Sequence, residues 1–484
     1  MPQYVLRWGF FVIYLVAVYV IGYYSYLKST SLSEFYVANR SFGAIPLMGT
    51  FLASFVSASS VIGYTSFAYS NGWSMITIYG VGCAAGWALL CLSSAKLRRL
   101  EGAVTSPDIF AMRYKSDSLR IWIAIVFLVW QTLFLIQQYM GIGYVVEQFL
   151  GIPYQYGMTI IGVTIIIYVA SGGMRSVVYT DVVQAAIMVV GVFLACAVIL
   201  GQVGGFGGLT SKLATASGGP SKLPVGGFAD ALAGGKFTLA YVVINSLSLA
   251  ATIFCVPFYH RMFFSAASEK LAKATVGLST PILFVFYIAL AVVGTGARVL
   301  MPDVKTADRI FPIVADQLLP PLIGTIVLTC IVAAIMSTVD SLLMACGAMF
   351  AHDIWARLIE KNLSPVREMF VTRLGLILIG GAGLLLSFKP PGTVMQMYNI
   401  MTAVVSSTLF PGLFVGLYWK RATAAGAFTG SVAGFASSWL WLVYGTKTIP
   451  AGLFGIGIGL ITLYLVSLFT KPVPTEQLGN FFAR

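Results

Sequence analysis

The chain has 484 residues, 58% hydrophobic and only 9% charged, with a formal net charge of +13 and a mean hydropathy of +0.90. A soluble domain of this length carries far more charge on its surface, so the composition excludes a soluble enzyme or binding module and implies an integral membrane protein. The 50 glycines suit closely packed, interrupted membrane helices.

With about 20 apolar residues per crossing, the sequence predicts thirteen spans, near 5–27, 44–66, 74–95, 121–149, 155–171, 177–202, 237–259, 274–297, 320–350, 370–387, 393–418, 424–444 and 449–470. The first has no small-residue cleavage site and reads as a retained helix, not a signal peptide. Placing the N-terminus outside puts the loops 28–43, 96–120, 172–176, 260–273, 351–369 and 419–423, and the C-terminal tail from 471, in the cytoplasm. Most of the 29 Lys and Arg then face inward, led by Lys96, Arg98, Arg99, Arg113, Lys115 and Arg120, as the positive-inside rule requires. The basic charge is accounted for without nucleic acid. The Gly/Ser-rich stretch 203–235 reads as an external flexible connection or short lid. The six cysteines lie in apolar stretches without metal spacing and are expected to pack as small hydrophobes. His260 and His352 fall at predicted cytoplasmic helix ends, where they are expected to meet lipid headgroups.

Three segments carry chemistry. In 52–63, LASFVSASSVIG, small and hydroxylated residues cluster at mid-membrane. There a helix can unwind and free its carbonyls for an ion, or the residues can form a small-residue packing face. In 172–184, Gly172-Gly173 makes a tight turn and Thr180-Asp181 stands at the entry of the next helix, where Asp181 is either functional or an N-terminal capping carboxylate. In 328–345, Ser337, Thr338, Asp340 and Ser341 interrupt an apolar helix. Such groups are costly at membrane depth unless protein, water or an ion satisfies them, and the Ser-Thr pair offers the hard oxygens a small cation selects. Interhelical hydrogen bonds and back-bonding to the helix's own carbonyls are the alternatives.

Together, the Gly172-Gly173-Met174…Thr180-Asp181…Gln184 run, the Ala53…Val56-Ser57 segment and Ala334…Ser337-Thr338 resemble the solute:sodium symporters. A Pro257…Arg261 turn and the helix end Gly416-Leu417-Tyr418-Trp419-Lys420-Arg421 match as well. The resemblance covers nearly the whole chain. It implies an all-α LeuT-type fold of about thirteen helices in one transmembrane domain. Two inverted five-helix repeats, 44–202 and 237–418, would be flanked by peripheral helices in 1–43 and 419–484. It further implies sodium-coupled symport by alternating access in the plasma (inner) membrane of a prokaryote. The partners would be sodium, a small-molecule solute and the bilayer, with no obligate protein partner evident.

Carried over by position, the sodium ligands are the backbone carbonyls of Ala53, Val56 and Ala334 and the side-chain oxygens of Ser337 and Thr338. Positions 334, 337 and 338 share one helix face, and five neutral oxygens suit a monovalent hard cation. Asp181 is an accessory residue, while Asp340 and Ser341 are assigned to helix packing. Substrate-facing positions are Ser57, Ser59, Ser60, Ser248, Thr252 and Asn399, with Gln137 and Gln138 along the path, one of them serving only to tie helices together. Relative to sugar-transporting relatives, an acid and an amide position read Ser59 and Ser60, and an aromatic gate reads Ala251. Relative to proline-transporting relatives, an aspartate reads Phe55. Hydroxyls beside a half-helix N-terminus suit a carboxylate, so the expected solute is a small organic anion, as in the monocarboxylate and pantothenate branches. An amino acid, sugar or other neutral solute is the alternative. No filter-like segment for a channel, no catalytic cluster for an enzyme and no signalling domain for a sensor is visible.

Overall fold

A chain crossing lipid must satisfy its backbone N–H and C=O groups internally, and helices do so segment by segment. The computed structural model describes residues 3–28, 32–446 and 449–482. Among them are helices and two isolated β-bridges, but no strand. Ten helices among the described residues are long and apolar enough to cross a membrane. Two bent pairs, with breaks of 53° and 45°, bring the number to twelve if each is one span. The predicted span 424–444 is also a helix, of 21 residues, but its Gly, Ser and Thr leave it less apolar than those twelve.

In chain order, α1 (Gln3–Lys28) and the short α2 (Leu32–Val37) lead to the first bent pair. Its parts are α3 (Ala44–Phe55), a π-helical stretch Ser59–Tyr64, and α4 (Thr65–Asn71). Then come α5 (Val81–Arg98), α6 (Ser106–Tyr114) and α7 (Asp117–Leu150). The run α8 (Tyr154–Val203) is two spans meeting at Gly173, with φ +66° and ψ −164°. Only glycine adopts that conformation readily, and a Cβ there would lie 2.6 Å from the Phe35 ring. After α9 (Gly205–Thr215), the second bent pair is α10 (Leu239–Cys255) and α11 (Pro257–Ser265). The remainder is α12 (Glu269–Leu300), α13 (Ile310–Gln317), α14 (Pro321–Met349), the single turn α15 (Ala356–Leu358), α16 (Pro365–Leu386), α17 (Val394–Tyr418), α18 (Ala424–Tyr444) and α19 (Ala451–Phe469).

α14 forms the centre. Every residue from 327 to 349 is buried, and α3, α7, α8 and α16 pack around it. That accounts for a helix apolar on all sides. α18 and α19 pack through small residues at the periphery: a Cβ on Gly430 would fall 2.7 Å from the Gly459 carbonyl oxygen.

Three expectations change. The stretch 203–235 is docked, not loose: residues 205–215 are helical, and the turns that follow are held at two points. The Arg298 guanidinium donates to the Ser217 and Pro302 carbonyls and lies over Phe228, while Asn71 Oδ1 accepts from Ser221 and Lys236, at 2.8 Å each.

His260 is fully buried instead of facing headgroups. Its Nε2 lies 2.8 Å from the Phe254 carbonyl and its Nδ1 2.8 Å from Ser106 Oγ. A carbonyl only accepts, so in the neutral ring Nε2 donates and Nδ1 accepts from the serine. The ring thus satisfies a carbonyl freed at the α10–α11 break and ties α6 to it. His352 stands between carboxylates, 3.4 Å from both Asp108 and Glu368.

That second histidine belongs to a buried ionic network. Arg120 donates to Asp108 at 2.5 Å and to Asp353 at 2.6 Å, so α6, α7 and the π-helical turn Phe350–Trp355 that follows α14 are clamped together. Asp108 also caps its own helix, accepting from the Val104 and Thr105 N–H groups at 2.9 and 3.0 Å. Burial alone would raise the Asp108 carboxyl. The His352 and Arg120 partners and the Val104 N–H outweigh it and hold the group well below the usual carboxylate range.

Arg120→Gln should therefore leave the buried Asp353 carboxylate without its cation, and Asp108 with only His352, and cost about 3–5 kcal/mol. It would be read as a lower unfolding temperature of the solubilised protein; an unchanged value would contradict the clamp. Because the folded-state value of Asp108 is depressed, its stabilisation is complete above its ordinary value of about 4 and is lost as pH falls through the folded value. Comparing unfolding temperatures across pH, the advantage of the wild type over Asp108→Asn should hold at neutral pH and shrink in acid.

Candidate functional site

α3 ends at Phe55 because Val56 takes an extended conformation, φ −85° and ψ 105°, and the chain re-enters helix at Ala58. The interruption frees carbonyls on one side and N–H groups on the other. The N–H of Ala58 donates to Gln138 Oε1 at 2.9 Å, so α7 caps the restarted helix. Ser57 O takes the N–H groups of Ser60 and Val61 at 3.0 and 2.9 Å, and Phe55 O accepts from Ser60 Oγ at 3.1 Å.

The freed carbonyls of Ala53 and Val56 meet α14. Ser337 Oγ lies 3.0 Å from Ala53 O and 2.9 Å from Ala334 O. Thr338 Oγ1 lies 3.3 Å from Val56 O and 3.1 Å from Ala334 O. All five predicted sodium ligands are therefore brought together between α3 and α14, and all five residues are buried. Each hydroxyl has one hydrogen, so four close oxygen pairs share two protons and lone pairs are left over. Neutral, hard and partly unsatisfied, this set fits a small monovalent cation.

Next to it, Ser341 Oγ and Ser54 Oγ are 3.0 Å apart, the packing role expected for Ser341. Asp340 does not share it: neither of its oxygens has a hydrogen-bond partner of normal geometry, although Tyr168 faces it. Asp181 lies about two turns past Gly173, fully buried, and so cannot cap a helix N-terminus. Its charged neighbours are Asp340 and Arg261, and neither of its oxygens is well bonded.

The substrate-side residues divide between two cavities. Ser57, Ser59, Ser60 and Thr252 line a central cavity of about 50 Å³, walled by Phe55, Trp130, Tyr259 and Tyr287. No charged side chain lines it among the described residues. Ser248 and Asn399 instead line a second, larger space of about 270 Å³. Tyr398 and Thr402 border both, so they stand as the partition. Tyr64 donates to the Tyr398 hydroxyl at 3.0 Å, while Thr252 Oγ1 lies 3.1 Å from the Thr402 carbonyl. Gln137 reaches the central site only indirectly: its Oε1 accepts from Ser59 at 2.8 Å and its Nε2 donates to Val394 O at 2.6 Å.

The sequence reading missed Tyr287, which bonds Ser60 at 3.0 Å, and Tyr398. Both occupy ordinary apolar helices, and nothing in their local pattern marks them.

The sodium:solute symporter family model matches residues 35–434. The chain is 28% identical over 436 residues to the sodium/pantothenate symporter of Escherichia coli (strain K12), covering 87% of this chain and 88% of that protein. It is 25% identical over 473 residues to the osmoregulated proline transporter OpuE of Bacillus subtilis (strain 168), covering 95% and 94%. Among solved structures, a substrate-bound outward-open Na+-coupled sialic acid symporter superposes with a TM-score of 0.82 at 18% identity, over 97% of this chain and 99% of that one. The nucleobase-cation-symport-1 transporter Mhp1, closed on bromovinylhydantoin, gives 0.59 at 12% identity, over 92% and 97%. The helical architecture is thus of the LeuT type. With its family model spanning most of the sequence, this multi-pass membrane protein belongs to the sodium:solute symporter family, and Na+ is its coupling ion.

Proposed function

We propose that this protein imports a small organic carboxylate together with sodium across a bacterial inner membrane, by alternating access between two inverted five-helix repeats, 44–202 and 237–418. The observation that carries the reading is the adjacency of two kinds of site on one interrupted helix. Ala53 and Val56 contribute carbonyls to the oxygen cluster with Ser337, Thr338 and Ala334, and from the very next residue Ser57, Ser59 and Ser60 line the central cavity. Sodium would take the first set, with Asp181 as an accessory carboxylate on its way to the cytoplasm. The solute's carboxylate would take the second, where the hydroxyls of Ser57, Ser59 and Ser60 line the space.

The lining supports an anion held by neutral donors and a sodium ion close by, since no arginine or lysine is there to pair with it. The aromatic walls favour a short apolar tail. The 50 Å³ volume favours a monocarboxylate of a few atoms. A larger acid, such as the pantothenate transported by the Escherichia coli relative, requires Tyr398 to move and join the cavity to the 270 Å³ space beyond. An amino acid is the second reading, favoured by the likeness to the proline transporter and opposed by the apolar Phe55.

The N-terminus is assigned outside and the C-terminus to the cytoplasm, on the strength of the basic residues around α6 and the ends of α5 and α7. Inward movement of sodium gains about 2.3 kcal/mol per 100 mV of membrane potential. One sodium only neutralises a monocarboxylate, so voltage drives net uptake only with a further cation.

Thr338→Ala should raise the sodium concentration for half-maximal uptake in proteoliposomes by about tenfold, the value of one oxygen contact to a charged group, with little change in folding. An unchanged half-saturation would count heavily against the sodium assignment. For the solute, acetate, pyruvate, lactate, pantothenate, proline and glucose should be compared as competitors of sodium-driven uptake. The reading requires the acids to compete and glucose not to; competition by proline alone would favour the amino-acid reading.

A further inference from the structure

A crevice of about 450 Å³ opens on the lipid-facing side between α1, α8 and α16. It belongs to neither cavity of the transport path. Tyr19, Tyr23, Ile167 and Ile377 leave large apolar surfaces on its rim, 40–62% exposed. In a membrane-spanning bundle such surface faces acyl chains, not water. One cation sits among these groups, Arg373, about 12 Å along α16 from its first residue. It is at the same end of α16 as Glu368, His352 and the α6 clamp, the face that holds most of the chain's basic residues.

Arg373 is anomalous for an arginine within a spanning helix. Such groups are normally paired or reach the interface. Here no carboxylate lies within ion-pair distance of it among the described residues, and its Nε is buried without a hydrogen-bond partner. Its guanidinium rests over the Phe35 ring at 5.9 Å, which fixes one face and leaves donors toward the crevice. The buried Tyr168 hydroxyl, also without a partner of normal geometry, forms part of the inner wall.

We propose that this crevice binds an anionic phospholipid of the surrounding bilayer, its phosphate on Arg373 and an acyl chain along the apolar wall formed by Ile167, Ala170 and Ile377. Charge complementarity selects this occupant. A neutral sterol has no phosphate to pair with the guanidinium, a zwitterionic phospholipid brings a cation of its own beside its phosphate and so adds no net negative charge, and a transmembrane helix is too wide for a crevice of this size. Planar guanidinium donors also match phosphate oxygens two at a time. The crevice connects inward as well: Tyr168 faces Asp340, two residues beyond Thr338, so an occupant would press on the helix that supplies the hydroxyls of the sodium site. The assignment depends on the membrane location alone and stands or falls independently of the solute.

The test is native mass spectrometry of the full-length protein released from nanodiscs of phosphatidylcholine in which phosphatidylglycerol replaces one fifth of the lipid. Retained phosphatidylglycerol should exceed its bulk share by about fivefold, the effect of one basic residue near an anionic headgroup. Arg373→Gln should return retention to the bulk ratio, and Arg373→Lys should keep much of the enrichment. Ile377→Trp, which fills the crevice while leaving the arginine, should lose it too. Bulk-ratio retention by the wild type, or full enrichment in Arg373→Gln, would overturn the proposal. So would equal stabilisation by inorganic phosphate added to discs of phosphatidylcholine alone, because the ligand would then be a free anion.

Discussion

Backbone carbonyls freed in the middle of a membrane protein have no water to turn to, so the interruption of α3 after Phe55 persists only where neighbouring helices supply partners. Two helices do so from opposite sides. α7 offers the Gln138 side chain to the Ala58 N–H, and α14 brings Ser337 and Thr338 to the Ala53 and Val56 carbonyls. Much of the remaining architecture serves to hold those two helices beside the break. The Arg120 clamp joins α7 to the turn that follows α14, and α14 is enclosed along its length by α3, α7, α8 and α16.

The two helix breaks are satisfied by different chemistry, and the difference has consequences. At the α10–α11 break, Pro257 supplies a residue that needs no hydrogen-bond acceptor, and the His260 ring bonds the Phe254 carbonyl while Ser106 fixes its other nitrogen. Both ring nitrogens are committed, so that break is a fixed joint. At the first break the partners are hydroxyls, each placed between two carbonyls with one hydrogen to give. A hydroxyl can rotate its hydrogen to one acceptor and turn its lone pairs to a cation. Under the proposed sodium assignment, the first break would therefore take up or release the cation by rotating two hydroxyls, at little cost in geometry.

What the sequence made legible follows the same division. The spans, the interruption near Ser57 and the placement of Ser337 and Thr338 on one face were readable because they rest on composition and on the helical period. That the two segments meet was readable only through family resemblance, since nothing local in Leu52–Gly63 names its partner. The histidines were misjudged because position near a helix end suggests exposure, while a ring's burial depends on which helices converge on it. The stretch 203–235 looked loose because glycine is permissive in any context. It is ordered by Arg298 and Asn71, each distant in sequence. Asn399 and Ser248 were assigned to the same space as Ser60 because helical phase gives the direction of a side chain but not its depth. The partition at Tyr398 separates them.

Coupling between ion and solute needs no long pathway in this arrangement. In the proposed assignment sodium takes the oxygen cluster at residues 53 and 56 and the solute the cavity at 57, 59 and 60, so both ligands would act on a single unwound turn and the first residues of its restarted helix. Whichever binds first pays part of the cost of ordering that segment, and the second binds to a segment already ordered. Such coupling is reciprocal by necessity: if sodium raises solute affinity, the solute raises sodium affinity by the same factor. Ser60 extends the linkage to the far wall, because its hydroxyl contacts both the Phe55 carbonyl and Tyr287 on α12. Ordering of the turn therefore reaches the aromatic wall directly, through one side chain and not through a relay.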